Sequence, residues 1–153
     1  MPSRRTHWLL RAWGLMGLLS AALTMGLFLL VLTRAGWTPG APTVPGSPLH
    51  GVYLQATTAS FAAIVACQVG TAMAARTERT SLLRIGLLTN PMLLWGIAFE
   101  LAFTAALIYL PIANDIMRTA PLPWTTLLLL LPFPLVVWGV DEVFRALRRR
   151  TER

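Results

Sequence analysis

A carboxylate stands in the middle of an apolar run. Glu100 lies between Ile97-Ala98-Phe99 and Leu101-Ala102-Phe103. As a helix, this run places it about nine residues, or roughly 14 Å, from one end, near the midplane of a bilayer. A charged carboxylate at that depth costs several kcal/mol unless it is neutral, paired or hydrated. It therefore marks an ion or proton path, or else it is protonated and hydrogen-bonded to a neighbouring helix. Gln68 occupies a second apolar run at a similar depth, roughly 11 Å from the same side. Thr71 follows Gln68 by three residues and Thr104 follows Glu100 by four, so each helix presents a polar pair on one face. Where two such faces meet they form an oxygen-rich pocket, and hard cations take oxygen ligands. Gln68 serves equally well as a hydrogen bond between helices. The candidate cation-site contributors are thus Glu100 and Gln68, with Thr71 and Thr104 weaker.

The surrounding composition sets the class. The 153 residues are 56% hydrophobic and 12% charged, with a mean hydropathy of +0.63. Soluble domains carry roughly 25% charged residues, so too little polar surface exists here for a water-soluble globule. The net charge is +7, and all 13 basic residues are Arg. They sit between apolar runs and at the chain ends, which reads as a topology signal and not as a nucleic-acid surface. The single cysteine, Cys67, has no partner for an internal disulfide and reads as a small buried helix residue.

Four segments are long and apolar enough to span a membrane, at about 8–32, 52–75, 92–110 and 124–140. The first follows a basic opening, Arg4-Arg5, but exceeds the 7–15 apolar residues of a signal core, so an uncleaved span is expected. Residues 33–51 form an irregular outer loop, because Pro39, Pro42, Pro45 and Pro48 alternate with Gly36, Gly40, Gly46 and Gly51. The connections 76–90 and 111–123 are short. Arg4, Arg5, Arg11, Arg76, Arg79, Arg84, Arg145, Arg148, Arg149, Arg150 and Arg153 fall on one side, and only Arg34 and Arg118 on the other. That asymmetry puts both termini in the cytoplasm. Trp8, Trp37, Tyr53, Tyr109 and Trp124 lie near the expected interfaces.

The expected fold is an all-α membrane protein, a bundle of four transmembrane helices in a single membrane domain over 1–153, multi-pass in the cell membrane. Ala62, Ala66, Gly70 and Ala74, widened by Ala59 and Ala63, form a small-residue stripe suited to close helix packing. Pro132 and Pro134 bend the fourth span by removing backbone donors. Beyond it, Asp141 and Arg145 are spaced to pair on a helix, and the Arg cluster that follows suits a juxtamembrane helix attracted to anionic lipid.

Taken in order, several stretches carry a family resemblance. They are Gln55-Ala56-Thr57-Thr58 through Gln68 to Arg76, Arg79-Thr80-Ser81-Leu82-Leu83-Arg84, Asn90-Pro91-Met92-Leu93-Leu94-Trp95-Gly96, Glu100, Ile108-Tyr109-Leu110-Pro111, Pro121-Leu122-Pro123 and Asp141-Glu142-Val143. From about residue 52 to 150 the chain resembles the C-terminal membrane region of P-type cation-transporting ATPases of the calcium-pump and sodium-pump kind. The resemblance implies that the spans match the seventh to tenth helices of a ten-helix pump. It implies that Gln68 falls where calcium pumps place a glutamate ligand and sodium pumps a glutamine. It also implies that Glu100 matches a ninth-helix glutamate of sodium pumps. Sodium pumps carry an acid three residues after that glutamine, where this chain has Thr71. The phosphorylation motif Asp-Lys-Thr-Gly-Thr, the actuator motif Thr-Gly-Glu-Ser and any Gly-rich phosphate cradle are absent from the sequence, so no ATP hydrolysis by this chain alone, and no cofactor, is expected. Three readings remain open. One is a split-pump subunit or truncated remnant, whose partners are the bilayer, an ATPase fragment carrying the first six helices, and a cation. The second is a small independent transporter using Glu100. The third is a non-transporting adaptor.

Overall fold

The computed structural model describes residues 4–75, Gly86 and 89–151, with side chains described over 13–75, at Gly86 and over 89–147. Most of the connection 76–90, including Arg76, Arg79, Arg84 and the stretch between them, lies outside the described residues. The side chains of Arg4, Arg5, Arg11 and Arg148 to Arg150 do too. The described chain is helical, with no strand among the described residues. Its elements are α1 (Arg4–Arg34), α2 (His50–Ala75), α3 (Pro91–Tyr109), α4 (Pro111–Met117), α5 (Trp124–Leu130) and α6 (Pro132–Thr151). Four stretches are long and apolar enough to cross a membrane: Trp13–Arg34, His50–Ala75, Pro91–Tyr109 and Trp124–Leu147. Each corresponds to an expected span. The fourth joins α5 to the first part of α6 across Leu131. The regular helix breaks there because Pro132 and Pro134 offer no N–H to the carbonyls one turn earlier.

Local chemistry sets the helix ends. α1 stops where Gly36 takes a φ of 86°. Its N–H donates to the Thr33 carbonyl at 3.0 Å, and the Trp37 N–H reaches back to the Leu32 carbonyl at 3.1 Å. This pair of bonds is a Schellman closure, which needs a left-handed residue and so favours glycine. The loop after it holds no helix or strand, as its Pro and Gly spacing requires. It is tied down where His50 Nδ1–H donates to the Thr43 carbonyl at 2.9 Å. α3 begins at Asn90-Pro91: the Asn90 side chain accepts from the Leu93 N–H at 3.2 Å, and proline fills the first helical turn.

α2 is the hub, touching α1, α3, α5 and α6. Its small-residue stripe is a packing face. Ala59, Ala62, Ala63, Gly70 and Ala74 are buried, together with Cys67. A Cβ built on Gly70 would lie 2.7 Å from the Pro134 carbonyl oxygen and 2.9 Å from Val137 Cβ. Backbone thus meets backbone between α2 and α6, the mode of association that small residues permit in lipid. At the Arg-rich end, Arg145 pairs with Asp141 and also donates to the carbonyl of Ala74, in the last turn of α2. A cation there satisfies a terminal carbonyl and opposes the negative end of the helix dipole.

The opposite end is closed by polar side chains. The segment 110–123, expected only as a short connection, folds into α4 and a return strap. Asn114 Nδ2 donates to the carbonyls of Leu107 and Ile108 at 3.0 and 2.9 Å, and Thr119 Oγ1 donates to Leu107 at 2.6 Å. These bonds occupy carbonyls that Pro111 leaves without the usual helical donor. The strap is then fixed to α2: the Ala120 N–H donates to Thr58 Oγ1 at 2.9 Å, and Gln55 Nε2 to the Pro121 carbonyl at 3.3 Å. Tyr109 donates its hydroxyl to the Leu122 carbonyl at 2.9 Å.

Gly70→Ala should therefore lower stability by about 1–3 kcal/mol through overpacking. Gly26→Ala, where an added methyl meets nothing within 4 Å, should leave it unchanged or slightly raised. The unfolding midpoint in a denaturing-detergent titration, followed by helical circular dichroism, separates the two.

Candidate functional site

Five polar residues of the membrane-spanning stretches line the seam between α1 and α2. Ser60, Gln68 and Thr71 lie along one side of α2, and Ser20 and Thr24 one turn apart on α1. With Cys67 and apolar neighbours they line an open groove of about 490 Å³. Gln68 is exposed, and its side chain makes no hydrogen bond among the described residues. The Thr24 hydroxyl is buried without a partner. Ser60 Oγ donates back to the Ala56 carbonyl and Thr71 Oγ1 to that of Cys67, each at 3.0 Å. Back-bonding uses the hydroxyl proton and leaves the oxygen lone pairs for a second contact. The groove thus offers neutral oxygens: the four hydroxyls of Ser20, Thr24, Ser60 and Thr71, with the protons of Ser60 and Thr71 committed, and the carboxamide of Gln68.

Glu100 sits elsewhere. It is the midpoint of the 19-residue α3, half-buried, with no hydrogen bond or ion pair among the described residues. Thr104, four residues on, is buried. Neither lines the groove. Gln68 and Thr71 are therefore brought together as the spacing implied, while Glu100 and Thr104 belong to a second place on a helix that packs against α2 with few buried residues. Among the described residues no group of three or more His, Cys, Asp or Glu side chains is close enough to hold a metal. The residues lining the groove bring neutral oxygens and no carboxylate.

Ser20, Thr24 and Ser60 were not singled out by sequence. Their signal was present: Ser20 and Thr24 are four apart, and Ser60 precedes Gln68 by two such steps. Only the way α1 lies on α2 makes one groove of them.

Residues 5–147 match the family described as cation transporting ATPase, C-terminus. The chain belongs to that family. Among curated relatives it is 37% identical over 99 residues to the sodium/potassium-transporting ATPase subunit alpha of Hydra vulgaris, which is 65% of this chain and 10% of that protein. It is 33% identical over 93 residues to the alpha-2 subunit of Gallus gallus, 61% of this chain and 9% of that one. The chain spans about a tenth of the length of these relatives. Family and helices together make it a multi-pass membrane protein corresponding to the C-terminal membrane part of cation-transporting ATPases. In this chain the stretches Gln55 to Thr58, Ile108 to Pro111 and Pro121 to Pro123 meet at one end of the bundle, where Thr58, Gln55 and Tyr109 hold the strap.

The two polar regions should respond oppositely to apolar replacement. Thr58→Val removes the acceptor for the Ala120 N–H and should cost about 1 kcal/mol. Gln68→Leu removes an amide that has no hydrogen bond among the described residues, and should leave the purified protein as stable as before or more so. Thermal unfolding of both variants in lipid nanodiscs tests the contrast.

Proposed function

We propose that this chain supplies the last four membrane helices of a P-type cation pump and acts as a subunit that docks on a polypeptide carrying the first six. A truncated remnant of such a pump would have the same bundle without the partner. The Arg-rich end faces the cytoplasm on this reading, which rests on the 11-to-2 distribution of Arg between the two sides. The observation that carries the proposal is the unsatisfied polarity of the α1–α2 groove. Gln68 and the Thr24 hydroxyl have no partner among the described residues, although they stand on helices long and apolar enough to span a membrane. Lipid cannot hydrogen-bond to them. Further helices that bring carboxylates to the groove would satisfy both and complete an oxygen-lined cation site, with Gln68 and, more weakly, Thr71 among its ligands. Glu100, with Thr104 beside it on the same helix, contributes to a second cation contact on α3. ATP hydrolysis would belong to the partner, since the sequence carries no phosphorylation motif.

Co-expression with a pump fragment that carries the first six helices and the phosphorylation site tests this. The expected result is a stable complex with cation-dependent ATP hydrolysis. In it, Gln68→Leu or Glu100→Gln should weaken apparent cation affinity on the order of tenfold, the loss of about 1.4 kcal/mol. A chain that folds stably yet never associates with such a fragment would remove the subunit role. A complex whose cation dependence ignores both substitutions would remove the site.

A further inference from the structure

Beyond α3 the chain carries large apolar side chains that the described residues leave uncovered. Ile112 and Ile116 of α4 are 76% and 72% exposed, and Leu110 and Met117 beside them are exposed too. The two isoleucines are four residues apart and so share one face of the helix. Asn114 stands two residues from each, about 200° around the helix, and so occupies the opposite face. That opposite face is the one bonded to the bundle, because Asn114 Nδ2 reaches the carbonyls of Leu107 and Ile108. The isoleucines therefore point outward. Asp115 and Arg118, both exposed, lie beside them.

The same bonds fix how high α4 stands. α3 has 19 residues, roughly 28 Å of helix, which is close to the hydrocarbon thickness of a bilayer. Leu107 and Ile108 lie in its last turn, at the edge of that thickness. The bonds of 3.0 and 2.9 Å from Asn114 hold the middle of α4 within one side-chain length of that edge. The Tyr109 hydroxyl, bonded to the Leu122 carbonyl, brings the return strap to the same level. Trp124, exposed, follows at the start of the next span. Tyrosine and tryptophan favour this boundary between acyl chains and headgroups. The isoleucine face thus continues the exposed apolar surface of α3, which carries Phe99 and Phe103. We propose that α4 lies in the membrane interface on the side away from Arg145. Ile112 and Ile116 enter the upper acyl region of that leaflet, and Asp115 and Arg118 stay among the headgroups. A short helix so placed anchors the end of α3 to lipid, which compensates for the few buried residues of α3 itself.

The unaltered full chain in phosphatidylcholine liposomes tests this. Two footprints are read by peptide mass spectrometry, each normalised to the unfolded chain. One uses carbenes released from a phosphatidylcholine with a diazirine near the top of its acyl chain. The other uses hydroxyl radicals generated in water. Val44, 63% exposed in the loop 35–49 at the same end of the bundle, is the reference for an apolar side chain in water. The carbene should mark Ile112 and Ile116 severalfold more than Val44, and the radical should mark them severalfold less. Carbene labelling of the isoleucines no stronger than that of Val44 overturns the proposal, and so does radical labelling no weaker. Protection from both reagents counts with the first of these outcomes, since a second copy of the chain would then cover the face in place of lipid.

Discussion

Everything in this bundle is arranged around the place where α2 and α6 touch backbone to backbone. At Gly70 there is no room for a methyl group: the Pro134 carbonyl and the Val137 side chain occupy that space. In water such a contact would be one of many held by the hydrophobic effect. In lipid, apolar side chains gain nothing by leaving a solvent as apolar as themselves, so association depends on close van der Waals approach and on hydrogen bonds. The run of buried small residues from Ala59 to Ala74 makes α2 narrow along its whole length. That narrowness lets one helix be neighbour to four others at once. The helix break at Leu131 lies just before Pro134, so Gly70 is pressed against the first two turns of α6.

The two ends of α2 extend the same logic with polar groups. At one end Arg145 bonds the Ala74 carbonyl, and at the other Thr58 accepts from the Ala120 N–H. α2 is thus tied to α6 at its last turn and to the strap near its first. The strap in turn depends on Asn114 and Thr119, which bond carbonyls in the last turn of α3 ahead of Pro111. A proline that ends a helix creates this demand, and the nearest side chains meet it.

What the sequence revealed and what it hid follow from the range of the forces involved. Span count depends on local composition and was readable from the linear chain. So was the role of the Ala/Gly stripe, because a period of four on one helix is itself a local pattern. The Asp141–Arg145 pair was readable for the same reason. The second acceptor of Arg145 was not, since Ala74 lies 71 residues away. α4 and the strap were equally hidden: their bonds join residues 55 and 58 to residues 120 and 121, and no local period announces them. The groove shows the boundary most clearly. Gln68 and Thr71 stood out as polar residues in an apolar run, whereas Ser20 and Thr24 became part of the same feature only through the packing of α1.

Gln68 and Glu100 pose complementary electrostatic problems. They lie at similar depths on different helices, and the bundle does not place Glu100 in the groove that holds Gln68. Each then has to find its partners separately. For Gln68 the neighbouring oxygens are neutral, so a cation held there would keep its full charge unless carboxylates arrive from outside the four helices. For Glu100 the difficulty is reversed: the half-buried carboxyl has no donor beside it among the described residues. One region lacks negative charge and the other lacks a partner for it. Within a single four-helix bundle these deficits stay apart, because no spanning helix remains unassigned among the described residues. On the proposed subunit reading, helices packed on both faces would meet both deficits, and the relatives to which the chain is similar are about ten times its length.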